Sequence, residues 1–505
     1  MMNLPKILRI LVLCCAIGQM ASCASTAGSS RRSGISPDEL KTRLQTVLGN
    51  SELSQAAIGI NIVSLRNDKT LFQSNSNRLF IPASNAKLLT AVSALKTLGQ
   101  DFRFETGLYL SEGFHVSGDT LYSDIFLKGG GDPEFYTEEL SELVHQLKRF
   151  ETQYIAGDIV ADDTLFDDVR LGPGWMWDDV QYDYSAQISA LSINRNSVEV
   201  VVVPGTGSDT PIQSYFLPRN SFMQSDIEAT TVSADTPDSV RLPLRVMRDW
   251  RKKSNVITIS GQLSADADTI RAIRSVENPT LYAGTLLRDL LQEAGMTTLG
   301  TIRLGATGED AIRVAFHKSE PLPSAIEFIL KDSDNLASEL LIKTMGLRVV
   351  GKPGTLYSGL QIARRAMAAA GIDTLLYRQV DGSGLSTYNL ISPRLLTSGL
   401  RYAYGDPDIR DPILAGLPIA GLDGTLKNRL ASLALARNIR AKTGTMGMSG
   451  VSCLSGYANI GSDEPLAFSI MVNHYIGSSR AARQVQDDIC RILAEYGSPK
   501  KLARQ

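Results

Sequence analysis

Ser84-Asn85-Ala86-Lys87 is an S-x-x-K step at the head of a segment whose apolar positions, Leu88, Leu89, Val92 and Leu95, recur with helical spacing until Gly99. Residues three apart share a helix face, so the Lys87 amine can reach the Ser84 hydroxyl, and a helix N-terminus favours negative charge developing beside it. A serine hydroxyl is a poor nucleophile at neutral pH and needs such a base within hydrogen-bond reach. The pattern alone does not select: Ser93/Lys96 and Ser498/Lys501 match it as well, mid-helix and in the tail, where an ordinary Ser and a solvated Lys explain them.

Two further runs change the weight of the first. Ser333-Asp334-Asn335 precedes a helical run over 336–347; alone it reads as a cluster of N-cap residues, and Ser192-Ile193-Asn194 shows how readily S-x-N arises. Lys442-Thr443-Gly444-Thr445 falls on a strand over 439–445, where a glycine often marks close approach of a ligand or another backbone. S-x-x-K, S-D-N and K-T-G, in that order and on a helix start, a pre-helix loop and a strand, are the set shared by class A β-lactamases and penicillin-binding proteins.

These motifs need a frame. Residues 58–64 and 70–73 read as two strands joined by the turn Arg66-Asn67-Asp68-Lys69, and 439–445, 451–460 and 466–474 read as three more. The first two of those three are joined through a turn at 447–450, and an amphipathic helix over 479–496 ends the chain. Between about 102 and 274 the texture changes to short alternating strands and turns, before helices return over 281–294 and 322–347. The expectation is an α/β (α+β) catalytic domain formed by 37–103 and 275–505, an antiparallel sheet with flanking helices. One or two strand-rich domains over 104–274 interrupt it.

The gap of 249 residues from Ser84 to Ser333, with 109 more to Lys442, resembles the low-molecular-mass penicillin-binding proteins of the D-alanyl-D-alanine carboxypeptidase/endopeptidase type, which carry two domains between the first two motifs. The similarity continues in Lys128-Gly129-Gly130-Gly131-Asp132-Pro133, Gly174-Trp175-Met176-Trp177-Asp178-Asp179, Ala190-Leu191-Ser192-Ile193-Asn194 and Asp381-Gly382-Ser383-Gly384-Leu385-Ser386. It runs on through Gly421-Leu422-Asp423-Gly424-Thr425-Leu426 and Val472-Asn473-His474-Tyr475. One departure is Thr387, where the family pattern has a basic residue.

The resemblance implies an acyl-enzyme on Ser84, with Lys87 as base and Ser333 as proton relay to the leaving amine. Asn335 would hold the substrate amide. Lys442, Thr443 and Thr445 would hold its carboxylate, and the backbone N–H groups of Ser84 and Thr445 would form the oxyanion hole. The expected partners are peptidoglycan stem peptides and, as their mimics, β-lactams. A β-lactamase or an S-x-x-K esterase would use the same chemistry; an inactive envelope-binding scaffold would not use it at all.

The composition, 43% hydrophobic and 21% charged over 505 residues, is that of a soluble globular protein. A formal net charge of −2 gives no electrostatic reason for nucleic acid as partner. With 4 His and no H-E-x-x-H or clustered Cys/His spacing, neither a metal nor a cofactor is expected. Residues 1–23 read as an export signal: Lys6 and Arg9, an apolar core over 10–17, then Met20-Ala21-Ser22-Cys23, followed by a polar linker over 24–36. An exported protein of the periplasm or envelope follows, either lipid-anchored at Cys23 or cleaved nearby, for instance after Ala24. Cys453 and Cys490 remain, as a pair or as two buried thiols.

Overall fold

The computed structural model describes residues 35–49, 53–431 and 435–496. The expected export signal, Cys23 and the linker up to residue 34 lie outside the described residues. Among those that are described, no helix is long and apolar enough to cross a membrane.

The catalytic frame is a five-stranded antiparallel sheet in the order Thr70–Ser74, Ala57–Ser64, Leu466–Asn473, Val451–Ala458, Ile439–Met446. Its central strands are buried on both faces, and the period-two alternation sorts their side chains into two cores. Leu466, Phe468, Ile470 and Val472 face the helices Pro37–Gly49 and Arg480–Tyr496, so the two ends of the fold close over one side of the sheet. Ala467, Met471, Cys453 and Tyr457 face the other core, built around the helices Ala86–Leu98, Leu322–Lys331 and Asn335–Val350. The helix Ala86–Leu98 is surrounded: every residue from Ala86 to Leu95 is buried, and Gly99, at φ 83°, ends it.

The chain leaves this frame and returns to it through a narrow neck. Phe104 N–H donates to Ser319 Oγ (2.9 Å), and Ser319 N–H donates to the Phe104 carbonyl (3.0 Å). Between them lies a strand-rich unit with its own core. One sheet runs Ile302–Leu304, Ile159–Asp162, Ile125–Lys128, Glu105–Leu110, Ile312–Lys318, and a second runs Gln213–Leu217, Ser197–Val203, Ile270–Ser275. The helix Pro279–Glu293 buries Tyr282, Leu286, Leu287 and Leu291 in this second core.

The boundary expected at 274 therefore falls inside the insert, which continues to Lys318, and the helix over 281–294 belongs to it. Helical periodicity shows that a face must be buried but not against which core.

Cys453 and Cys490 are both buried and both free thiols. Burial pushes each thiol's pKa up.

Candidate active site

Ser84 sits in a single 3₁₀ turn, Ala83–Asn85, just ahead of its helix. Ala83 holds φ 45°, a left-handed conformation rare for a residue with a Cβ, of the kind kept where the surroundings impose it. Ser84 is half-buried in a row of otherwise buried residues. The turn is held from above by the edge strand Ile439–Met446: Asn85 Nδ2 donates to the Lys442 carbonyl (3.1 Å). A Cβ on Gly444 would lie 2.8 Å from the Pro82 carbonyl oxygen, so the glycine is what lets strand and turn approach so closely.

The three motifs meet here. Lys87 Nζ donates to Ser84 Oγ (3.0 Å), Asn335 Oδ1 (2.6 Å) and the Ser383 carbonyl (2.7 Å). Lys442 Nζ donates to Ser333 Oγ (2.8 Å) and the Thr443 carbonyl (2.9 Å). Thr443 Oγ1 donates to Thr425 Oγ1 (2.7 Å). Both ammonium groups are fully buried, whereas Ser84, Ser333, Asn335 and Thr443 are half-buried and Thr445 is exposed. The result is a cleft with hydroxyl and amide groups on its walls and two lysine amines behind them.

Burial disfavours the charged amine and brings the Lys87 pKa down to about 8, against the opposing pull of Asp334, Asp381 and Glu339. Lys442 is lowered well below the usual lysine range, first by burial and then by the nearby positive charge of Lys87.

The second motif does two jobs. Asp334 caps the helix Asn335–Val350, its Oδ1 accepting the Ala337 N–H at 2.7 Å, as the cap reading of the sequence anticipates. Ser333, at φ 65°, turns back toward Lys442. The insert closes the far side: Asn335 Nδ2 donates to the Tyr184 carbonyl (2.7 Å), and Arg195 pairs with Asp334 (Nε–Oδ2 2.8 Å).

Of the side chains named from the sequence, Ser84 and Asn335 are joined through Lys87, Ser333 is bonded to Lys442, and Thr443 and Thr445 lie on the same edge strand as Lys442, Thr445 exposed. The sequence reading missed the Ser383 carbonyl, Glu339, Asp381, Arg195, Tyr184 and Thr425. Ser383, Asp381 and Thr425 stood in stretches singled out for resemblance, but without a role; a main-chain carbonyl leaves no signature in residue type. Among the described residues no group of His, Cys, Asp and Glu is placed to hold a metal ion.

The sheet, the helices on its two faces and the interrupting insert define a penicillin-binding-protein fold. The structure of penicillin-binding protein 4 (dacB) from Haemophilus influenzae superposes with a TM-score of 0.76 at 24% identity, covering 88% of this chain and 97% of that one. The complex of that protein with a novel β-lactam superposes at 0.69. The chain belongs to the D-Ala-D-Ala carboxypeptidase 3 (S13) family, whose model matches residues 40–496. It is 34% identical to the D-alanyl-D-alanine carboxypeptidase of Actinomadura sp. strain R39, over 92% of this chain and 86% of that one. The D-alanyl-D-alanine carboxypeptidase DacB of H. influenzae is 27% identical over 83% and 85% of the two chains.

Proposed function

We propose that the protein cleaves D-alanyl-D-alanine ends and D-alanyl cross-links of peptidoglycan stem peptides through an acyl-enzyme on Ser84. The observation that carries this reading is the set of three bonds around Lys87. A neutral amine has two N–H donors and one lone pair. Asn335 Oδ1 and the Ser383 carbonyl take the two donors, which leaves the lone pair directed at Ser84 Oγ, 3.0 Å away.

Lys87 takes the Ser84 proton as Oγ bonds to the carbonyl carbon of the penultimate D-alanine. The oxyanion that forms is held by the backbone N–H groups of Ser84 and Thr445, donors worth about 3–4 kcal/mol each in acyl-transfer enzymes. The C–N bond then breaks, and the proton taken from Ser84 passes from Lys87 through Ser333, which is bonded to Lys442 Nζ, to the leaving amine. Asn335 orients the substrate amide. Lys442, Thr443 and Thr445 receive the terminal carboxylate, the anion that the buried Lys442 lacks in the free cleft. Water then attacks the ester by the reverse proton route, restoring Ser84. Terminal trimming and cross-link cutting differ only in the leaving amine. An export signal over residues 1–23 and a peptidoglycan substrate support a mature protein of the periplasm or envelope, with or without lipid on Cys23.

The test is the intact mass of the protein during incubation with penicillin, with Ser84→Ala alongside. A lasting adduct absent from the variant is expected. Rapid consumption of penicillin without a lasting adduct would favour a β-lactamase, and no adduct with no consumption would leave only a binding role.

A further inference from the structure

Behind the Lys87 amine lies a buried acidic pair that no step above uses. Glu339, on the helix Asn335–Val350, is fully buried and accepts the Gly382 N–H at both oxygens (3.0 and 2.9 Å) and the Ser383 N–H at Oε1 (2.8 Å). Asp381, equally buried, accepts the N–H groups of Gly384 (2.8 Å) and Ser386 (2.7 Å), Asn389 Nδ2 (2.7 Å) and Trp175 Nε1 (3.1 Å). Every one of these donors is neutral. Two carboxylates side by side in the interior carry a desolvation cost that amide side chains making similar bonds would not. What they hold is the segment 381–386, and that segment supplies the Ser383 carbonyl that takes one N–H of Lys87 at 2.7 Å.

We infer that Glu339 and Asp381 are positioning residues for the acyl transfer, fixing the Ser383 carbonyl against Lys87 and supplying the negative charge against which its amine gives up a proton. The inference rests on the reading of Lys87 as the base. The titratable groups facing this amine are Asp334, itself paired with Arg195, then Asp381, Glu339 and the second lysine, Lys442. Glu339 also faces Lys343, which is paired with Asp167. Burial and then the charge of Asp381 push the Glu339 pKa up, and in its ionised form Glu339 holds Lys87 toward the ammonium. An ionised neighbour favours the ammonium form, and its removal must lower the pH at which Lys87 becomes a free base.

The experiment follows the rate of Ser84 acylation by a fluorescent penicillin between about pH 6 and pH 10, with thermal melting of every variant. Glu339→Gln and Asp381→Asn are each expected to move the acid limb down by about half a unit or more. Glu339→Asp, which keeps the charge but withdraws it by one methylene, is expected to leave the limb in place and lower the plateau. A wild-type limb in both neutral variants, or loss of folding in both, overturns the inference. Its failure is separate from failure of the parent reading. Lys87→Met that still acylates at the wild-type rate removes Lys87 as base, whereas an inactive Lys87→Met beside unshifted neutral variants removes only the role of the acidic pair.

Discussion

Arg195 of the insert donates to Asp334 at the centre of the second motif, from Nε at 2.8 Å and from Nη2, while its guanidinium lies 4.9 Å over the Phe328 ring. It is aimed there by a left-handed turn in which Asn194, Arg195 and Asn196 hold φ of 51°, 57° and 51°. Asn tolerates that region, Arg less readily, and such strain persists where the surroundings impose it.

Arg195→Ala would leave the Asp334 carboxylate, whose side chain is 5% exposed, without its counter-charge beside Ser333 and Asn335. We expect a loss of about 1–3 kcal/mol in stability, together with slower acylation of Ser84. Thermal melting and the second-order rate with a fluorescent penicillin measure the two. Arg195→Lys should recover only part of either, because an ammonium neither forks onto the carboxylate nor stacks on Phe328 in the same way. Wild-type melting and rate in Arg195→Ala would show that Arg195 does not support the site.

How much of this was legible in the sequence depends on what kind of group was involved. Ser84, Lys87, Ser333, Asn335 and Lys442 were legible because side-chain chemistry at fixed spacing is written in residue type. The central strands were legible because their runs are bounded by turn residues. Arg195 was not, since it reaches Asp334 across 139 positions and nothing local in the sequence marks the pairing. The Ser383 carbonyl was hidden for a different reason: any residue at that position has one. The end of the insert was misplaced because the helix Pro279–Glu293 has an apolar face that either core would accept.

The Lys87 amine sets a pH dependence. Its pKa is lowered by burial to about 8, so below that pH the amine carries the proton and cannot take one from Ser84. The acylation rate is expected to climb about tenfold per unit up to pH ~8 and to flatten above it. Rates with a fluorescent penicillin across that range decide the matter. A flat profile would remove Lys87 as the group that must be neutral.

Lys442 should respond to the substrate. It is fully buried, and its pKa is held low by burial and then by Lys87. A terminal carboxylate placed beside it favours the ammonium form, so binding of an acyl-D-alanyl-D-alanine peptide should draw a proton from solution. Calorimetry in buffers of different ionisation enthalpy, performed on Ser84→Ala to prevent turnover, reads that uptake. In Lys442→Met it should vanish, with affinity reduced about tenfold or more. Equal affinity for the peptide and its C-terminal amide in the parent protein would remove the carboxylate role.

The two glycines that touch the nucleophile turn should fail differently. At Gly444 a Cβ would lie 2.8 Å from the Pro82 carbonyl oxygen and 2.9 Å from Asn85 Nδ2. The edge strand can yield by sliding outward, which stretches the Asn85–Lys442 bond and carries Thr445 away from Ser84. Gly444→Ala should therefore melt near the parent protein yet acylate roughly ten- to a hundredfold more slowly, as misplacement by a fraction of an ångström permits. At Gly384 the φ is 81°, and a Cβ would lie 1.9 Å from the Ala83 carbonyl oxygen, an overlap of backbone on backbone in a conformation that L side chains rarely adopt. Gly384→Ala has no such escape and should cost about 2 kcal/mol or more in stability along with activity. Melting curves and acylation rates for the two variants separate a displaced catalytic strand from a broken core. Equal loss of stability in both would mean that the edge strand is as rigidly held as the turn beneath it.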